Sequence, residues 1–154
     1  MELSSILKPE AVKVFSAASS KKRLFQEVAD VAFGAYGLDA QSTVEALLER
    51  ESLGPTGVGH GVALPHARIA DLDSVVGVFV LLEKPIDYGA VDRQPVDLAF
   101  TLFAPEEAGV EHLKALALVS RTLREPTLCA KLRANHDATT LHTILTETHP
   151  VQAA

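Results

Sequence analysis

Apolar side chains that recur at helical spacing predict an amphipathic helix over residues 21–36. Ser20, just before this segment, is a residue type that caps helix N-termini, and Gly37 follows it as a typical stop. The apolar positions of its inward face are Leu24, Val28, Val31 and Ala32. We therefore expect a well-bounded helix after a short leading segment.

A second helix is predicted from about residue 39 or 42 to Gly54. Either Asp39 or Ser42 can cap its first turn, and Glu45 completes an S-x-x-E capping box if the cap is Ser42. The apolar face consists of Val44, Leu47 and Leu48. Both starting points leave Arg50 in the C-terminal turn.

Three further helices are predicted in the C-terminal part of the chain. They cover residues 110–124, residues 126–132 beginning at Pro126, and a last segment that Asp137 can cap. The pattern of the first of these comprises Leu113, Leu116, Val119, Ser120 and Leu123, and that of the last comprises Leu141, Ile144 and Leu145.

Two apolar runs, residues 75–82 and 96–103, carry the strongest strand signals. The first is nearly continuous in apolar residues, as expected of a strand covered on both faces, and the second alternates. A shorter apolar run at residues 61–65 looks like a strand stopped by its proline. His66 is therefore predicted where a strand ends and a loop begins.

Helices before, between and after strands, without repeat or linker, predict one α/β domain over residues 1–154. The turn-rich segment 85–95 between the two strong strands is expected to form an exposed excursion. A chain of 154 residues, 47% apolar and 22% charged, has ordinary globular composition. It can bury roughly 70% of its unfolded surface without a disulfide or metal, and Cys129 is expected in the core.

Charge excludes one class of partner. The formal net charge is −6 and the sequence pI is near 5.5, so no basic field attracts nucleic acid. The N-terminal residues lack the pattern of a signal peptide, and no apolar run reaches membrane-spanning length. We expect a soluble cytoplasmic protein without membrane insertion.

The segment 54–68, G-P-T-G-V-G-H-G-V-A-L-P-H-A-R, is the strongest candidate for a functional site. Gly57, Gly59 and Gly61 alternate, which does not match the glycine spacing of nucleotide-binding motifs. Alternating glycines let backbone N–H groups approach an anion, although a tight turn with a bulge would use them equally well.

His66 is the candidate nucleophile of this segment, held at a strand end beside Pro65 and the small Ala67. The alternative is a structural histidine at intermediate burial. His112 is predicted in the first turn of the third helix, facing inward near the positive end of the dipole, where a neutral imidazole is favoured. Arg50 and Arg68 flank the segment and could bind phosphate, although each alone is typical of a solvated surface charge.

Other catalytic chemistries find little support. His60, His66 and His112 would permit a metal site, yet no H-E-x-x-H or H-x-x-E-H pair exists, and we predict no metal. No G-x-S-x-G motif indicates a serine hydrolase. The remaining histidines are expected to face solvent: His136, His142 and His149.

Three motifs in order resemble one known family. The first, L-x-R-E-x-L-G-x-T-G-V-G-x-G-V-A-L-P-H over residues 48–66, resembles the phosphorylation-site signature of enzyme IIA domains of the fructose and mannitol type. The second is P-I-D-Y-G-A-V-D at residues 85–92, followed by P-V-D-L at residues 95–98. The third is His112-Leu with the following L-V-S-R-x-L. Together they cover most of the chain.

The resemblance implies a three-layer α/β/α sandwich with a mixed sheet and a protein of the bacterial phosphoenolpyruvate-dependent phosphotransferase system. His66 would accept a phosphoryl group on Nε2 from a phosphohistidine of a small histidine-containing phosphocarrier protein, which makes the chain an enzyme. Arg50 matches the family's phosphate-side arginine and His112 its second active-site histidine. No cofactor is implied.

Phosphoryl transfer requires in-line positioning and stabilisation of charge on the transferred oxygens. A cation at Arg50 and a hydrogen-bond donor at His112 meet that need. The phosphate-binding residues that we predict around them are Thr56, Gly57, Gly59, His60, Gly61 and Arg68.

The chain looks most like the stand-alone nitrogen-regulatory branch of the family, whose phosphorylation state would regulate partners such as a transporter or a sensor kinase. Two alternatives remain open. A sugar-specific enzyme IIA would pass phosphate to a permease IIB domain, and a regulatory binding protein would act by contact alone.

Three residues depart from the family pattern. Pro55 stands where serine is usual, which removes a hydroxyl and an N–H group from the predicted anion site. His60 replaces a common asparagine, and Ala67 replaces a common glycine.

Overall fold

Within residues 1–147, six strands form one mixed β-sheet enclosed by two layers of helices. The structure is a computed structural model that describes residues 1–147. Its strands are β1 (Val12–Phe15), β2 (Gly57–Gly59), β3 (Val62–Ala63), β4 (His66–Ile69), β5 (Val76–Ile86) and β6 (Val96–Pro105). Its α-helices are α1 (Lys21–Tyr36), α2 (Ala40–Ser52), α3 (Val110–Leu123), α4 (Pro126–Arg133) and α5 (Ala138–Thr146). The short 3-10 helices Leu3–Ser5 and Pro9–Ala11 precede β1.

The strands are ordered β1-β5-β6-β3-β2, and β4 also pairs with β6. β1 runs parallel to β5, and β3 and β4 both run parallel to β6. The pairs β5–β6 and β2–β3 are antiparallel. The sheet is therefore mixed, as predicted.

The two long central strands, β5 and β6, are buried over most of their length on both faces. Helix α1 packs against α2, while α4 packs against both α3 and α5. The three-layer α/β/α fold predicted for the chain is confirmed. One continuous apolar core fills the spaces between the layers.

Local sequence signals set the ends of the first two helices. Helix α1 has the predicted bounds, because Ser20 accepts a hydrogen bond from the N–H of Arg23 and Gly37 adopts a left-handed φ of 74°. Helix α2 is capped by Asp39, whose carboxylate accepts both the N–H and the hydroxyl of Ser42. The capping box that would begin at Ser42 is therefore not used.

The predicted inward face of α3 is wrong at Leu113. Leu113 is 67% exposed, whereas His112 is buried. The buried positions of the helix are His112, Ala115, Val119, Thr122 and Leu123. The inward positions predicted for His112, Val119 and Leu123 are confirmed, and Leu113 shows that an apolar residue need not face the core.

Two predictions about the middle of the chain are also wrong. His66 does not begin a loop: β4 starts there, because β4 forms the sheet edge in the described part of the chain and an edge strand tolerates Pro65. The carbonyl of Pro65 still accepts the N–H of Leu102. Segment 85–95 is not an exposed excursion throughout, since Tyr88 and Ala90 are buried.

The outlying histidines differ in their surroundings. His136 is exposed as expected, with its Nδ1 2.9 Å from the Glu83 carboxylate. His142 was expected in solvent but is half-buried, and its Nε2 contacts the carbonyl oxygen of Leu7 at 2.9 Å. His149 lies outside the described residues. Cys129 is buried in the core, as predicted.

Candidate active site

Two hydrogen bonds define the protonation of the half-buried His66 ring. Its Nδ1 lies 3.0 Å from the carbonyl oxygen of Leu64, which can only accept, so Nδ1 carries a proton. The Nε–H of Arg50 donates to Nε2 over 3.2 Å, and a guanidinium can only donate. Both contacts agree on a neutral ring that presents its lone pair at Nε2.

Arg50 is held from a second direction. It lies in the last turn of α2, and its Nη1 donates to the carbonyl oxygen of Gly54 over 3.0 Å. The guanidinium therefore spans the loop that follows α2 and the imidazole of His66. The structure thus brings Arg50, a predicted site residue, into contact with His66.

His112 stands edge-on to His66, with ring centroids 5.7 Å apart and ring planes at 68°. It is 8% exposed, and its Nε2 is buried without a hydrogen-bond partner among residues 1–147. Burial, together with the positive charge of Arg68, lowers the pKa of His112. The structure thus brings a neutral imidazole to the side of His66.

Thr56 has its polar atoms committed to protein partners. Its hydroxyl donates to Oε1 of Glu51 over 2.6 Å and lies 2.7 Å from the hydroxyl of Tyr88. Its N–H donates to Oε2 of Glu51 over 3.0 Å. These contacts use the buried Thr56 side chain to close the loop after α2, and its role in phosphate binding stays a prediction.

Hydrogen bonds from both sides hold the turn of the hairpin formed by β2 and β3. His60 has a left-handed φ of 57°, and its N–H donates to the carboxylate of Asp92 over 3.0 Å. Its carbonyl oxygen accepts from Nη2 of Arg133 at 2.8 Å. The backbone N–H of His60 is therefore bonded to Asp92, and the predicted contact of His60 with phosphate stays a prediction.

The three alternating glycines have packing reasons of their own. A Cβ at Gly57 would lie 2.6 Å from Cβ of Ala90, and one at Gly61 would lie 2.6 Å from Nη2 of Arg133. Gly59 and Gly61 also have φ values of 104° and 80°, which side chains rarely adopt. The phosphate-binding role of Gly57, Gly59 and Gly61 stays a prediction.

Arg68 follows His66 on β4 and holds the loop that leads into α3. Its Nη1 donates to the carbonyl oxygens of Pro105, Glu106 and Ala108, at 3.4, 3.0 and 2.6 Å. This loop precedes His112, so Arg68 helps to place that histidine. A direct phosphate contact by Arg68 stays a prediction.

Large apolar side chains are exposed on the two elements that carry Arg50 and His112. Leu53 follows the last turn of α2, while Val110 and Leu113 flank His112 on the first turn of α3, and all three are exposed. Exposed apolar side chains beside a reactive group are typical of a protein-docking surface.

Three residues that had no predicted role surround Thr56 behind the site: Glu51, Lys21 and Tyr88. Glu51 and Tyr88 stand inside the first and second family motifs, and that position is the signal that could have found them. Residues 1–147 contain no group of three His, Cys, Asp or Glu side chains arranged to hold a metal ion. Within that range, too, no helix has the length and apolar character needed to cross a membrane.

Comparison with known proteins gives a consistent result along nearly the whole chain. The family described as "Phosphoenolpyruvate-dependent sugar phosphotransferase system, EIIA 2" matches residues 5–148. A nitrogen regulatory protein of Bradyrhizobium diazoefficiens is 43% identical over 145 residues, which are 94% of this chain and 95% of that protein. One from Escherichia coli K12 is 40% identical over 149 residues, 96% of this chain and 91% of that protein.

A solved structure is similar in three dimensions as well. The crystal structure of nitrogen regulatory protein IIA-Ntr from Neisseria meningitidis superposes with a TM-score of 0.84 at 34% sequence identity. The match covers 92% of this chain and 97% of that one.

Proposed function

Because this chain belongs to the EIIA 2 family of the phosphoenolpyruvate-dependent sugar phosphotransferase system, we propose that His66 is its phosphoryl acceptor. The donor is a phosphohistidine on a small histidine-containing phosphocarrier protein. The observation that carries this proposal is the ring tautomer of His66, whose proton is on Nδ1 and whose lone pair is on Nε2.

The transfer step is an in-line displacement at phosphorus. The bond from the carrier's nitrogen to phosphorus breaks and leaves its electron pair on the carrier, while the Nε2 lone pair of His66 forms the new bond. Nε2 has no proton to lose, so no general base is needed. The positive charge that develops on the ring is shared through Nδ1–H with the carbonyl of Leu64.

Arg50 and His112 stabilise the transferred group. As phosphorus approaches Nε2 of His66, the Nε–H of Arg50 stops donating to that nitrogen and donates to a phosphoryl oxygen instead. The hydrogen bond from Arg50 to the carbonyl of Gly54 keeps the guanidinium in place. Neutral His112 donates one ring N–H to another phosphoryl oxygen. Because its pKa is lowered, His112 stays uncharged and does not repel the positive charge that develops on His66.

The docking surface for the carrier is formed by Leu53, Val110 and Leu113. These side chains are exposed on the elements that carry Arg50 and His112, so a partner that covers them would also exclude water from Nε2. Contact through an apolar surface suits a chain whose net charge is −6.

The nitrogen-regulatory branch is the best supported role, because the relatives reported above carry that name and match almost their whole length. In this role the phosphorylation state of His66 controls binding to regulatory targets such as a transporter or a sensor kinase in the cytoplasm. A sugar-specific enzyme IIA would instead pass the phosphate to a IIB domain. A contact-only regulator would not need the phosphoryl group.

The test is phosphorylation by the general phosphotransferase components with phosphoenolpyruvate. We expect one acid-labile phosphate on the wild type and none on His66→Ala. Arg50→Ala and His112→Ala should retain the fold and transfer more slowly, Arg50→Ala by about 100-fold, because each removes one donor to the transferred oxygens. The exposed His136 supplies the matched control, since His136→Ala should be labelled like the wild type.

Labelling that persists in His66→Ala would refute the assigned acceptor. Wild-type rates in both Arg50→Ala and His112→Ala would refute their roles alone. Rapid onward transfer to a IIB domain would favour the sugar-specific alternative, and equal effects of wild type and His66→Ala on a regulated target would favour the contact-only one.

A further inference from the structure

Glu51 follows Arg50 in the last turn of α2, yet its side chain faces the interior and is 7% exposed. Four groups converge on its carboxylate. The N–H and the hydroxyl of Thr56 donate to it over 3.0 and 2.6 Å, the hydroxyl of Tyr88 over 3.3 Å, and Nζ of Lys21 over 2.8 Å. A buried carboxylate with this many donors is held in one position.

The groups around the carboxylate are themselves fixed. Nζ of Lys21 lies 4.4 Å from the ring centroid of Tyr88, and that ring packs edge-on against Phe25 at 6.2 Å. Tyr88 is 1% exposed. Burial favours the neutral acid, but the hydrogen bonds from Lys21 and Thr56 outweigh it and lower the pKa of Glu51, so the carboxylate is ionised at neutral pH.

The carboxylate closes a short loop. Both ends of segment 51–56 are tied together by the two bonds from Thr56 to Glu51, and the N–H of Gly54 donates to the carbonyl of Glu51 over 3.2 Å. Gly54 has a φ of 154°, and a Cβ there would meet no atom within 4 Å. The Gly54 carbonyl therefore lies in a loop whose two ends are held together by the Glu51 side chain.

That carbonyl is the second anchor of Arg50. Nη1 of Arg50 donates to it over 3.0 Å, while Nε of the same guanidinium donates to His66. The guanidinium is planar, so fixing one N–H group orients the others. A continuous set of contacts thus runs from Glu51 through Thr56 and Gly54 to Arg50.

We propose that Glu51 and Thr56 are positioning residues for phosphoryl transfer, which close the loop after α2 so that the Gly54 carbonyl aims Arg50 at Nε2 of His66. This inference rests on the proposed function. Neither residue touches the transferred group, and both act through Arg50. Misplacing a catalytic group by about 1 Å can cost on the order of 100-fold in rate, so the expected effects are large enough to measure.

A double-mutant cycle separates this role from a general loss of stability. Thr56→Val keeps the size of the side chain and removes the hydroxyl. With the phosphorylated carrier as donor, it should slow single-turnover labelling at saturating carrier about tenfold, with little change in the carrier concentration for half-maximal rate. Arg50→Ala should slow it by about 100-fold, and adding Thr56→Val to Arg50→Ala should slow it no further.

Four further variants complete the experiment, and Glu51→Ala should be the slowest of them. Thr56→Ser restores the hydroxyl and should recover the rate to within about twofold. Glu51→Gln keeps an acceptor and should lie between the wild type and Glu51→Ala. Glu49→Gln removes an exposed carboxylate from the same helix and should behave as the wild type.

An NMR measurement that needs no phosphorylated carrier tests the same role if Glu51→Ala proves unstable. The ¹⁵N signal of His66 Nε2 should move in Thr56→Val toward its value in Arg50→Ala, because both variants weaken the same hydrogen bond. An unchanged signal, or additive rate losses in the double variant, would overturn the positioning role. A wild type that is not labelled at His66 would instead overturn the proposed function, and this role with it.

Discussion

Replacing Gly57 by alanine tests how closely the hairpin of β2 and β3 packs on the segment after β5. The new Cβ would lie 2.6 Å from Cβ and 2.9 Å from Cα of Ala90, and 3.1 Å from Cδ1 of Tyr88. Ala90 has no rotamer to change, and Tyr88 is fixed by its hydrogen bonds to Glu51 and Thr56. The strain must therefore be relieved by moving backbone.

The cost follows from those distances. Carbon atoms in contact prefer about 3.5–4.0 Å, so the two segments must separate by roughly 1 Å. Overpacking of this kind costs about 1–3 kcal/mol, and a contact with backbone on both sides lies near the upper end. Alanine regains about 0.4–1 kcal/mol by restricting the unfolded chain. The net expectation is a loss of about 2 kcal/mol in the free energy of unfolding.

Gly34 offers a matched control for the same chemical change. It lies inside α1, and a Cβ there would meet no atom within 4 Å. Gly34→Ala should stabilise the protein by about 0.5–1 kcal/mol, because alanine is the better helix former. The unfolded-state effect is shared by both variants and cancels in their difference, which should be about 3 kcal/mol.

Urea unfolding measures this difference. With a slope of about 2 kcal/mol per molar urea, Gly57→Ala should unfold at about 1 M less urea than the wild type, and Gly34→Ala at slightly more. Equal midpoints for the wild type and Gly57→Ala would refute the close packing of Gly57 on Ala90. If Gly34→Ala were destabilised as well, the contacts of the new Cβ could not be what decides whether a glycine-to-alanine change raises or lowers the free energy of unfolding.

Two other predictions concern charge. Because burial, with the positive charge of Arg68, lowers the pKa of His112, its neutral form contributes stability that is complete above about pH 6.5 and is lost as pH falls through the lowered pKa. Urea midpoints of wild type and His112→Gln should therefore converge on acidification, and a constant difference would contradict this. Arg133→Met should cost about 1–2 kcal/mol, because it leaves the carboxylate of Asp97, 15% exposed, without its bidentate partner. Asp97→Asn in that background should recover part of the loss, and an Arg133→Met midpoint equal to the wild type would contradict the pair's contribution.

Features with a local cause could be predicted from the sequence. The bounds of α1 follow from Ser20 and Gly37, whose effects act within one turn of the helix. Strand β1 was not predicted, because Val12–Phe15 is only four residues long and depends on parallel pairing with β5, some 65 residues later. Short strands of this kind are specified by tertiary contacts rather than by their own sequence.

Some features of the candidate site could also be predicted from the sequence, and others depend on the folded backbone. The residue types at positions 50, 66 and 112 could be recognised in the sequence, and the family resemblance implied Nε2 as the reactive nitrogen, but the sequence did not show what holds His66 in that tautomer. The tautomer depends on the carbonyl of Leu64 and on the direction of the Arg50 side chain, both of which are set by backbone geometry. Residue identity alone carries no information about where a main-chain carbonyl points.

Pro55, which departs from the family pattern, lies in a loop whose backbone shape is set by the buried hydrogen bonds between Thr56 and Glu51. Proline lacks an N–H group, so residue 55 cannot donate from its backbone to a bound phosphate. The adjacent N–H and hydroxyl of Thr56 are directed to Glu51. In this loop, therefore, residues 55 and 56 shape the backbone, and we propose that Arg50 and His112 stabilise the phosphoryl group. A loop that contributes geometry rather than hydrogen bonds can tolerate proline, because proline restricts the backbone that the loop must hold.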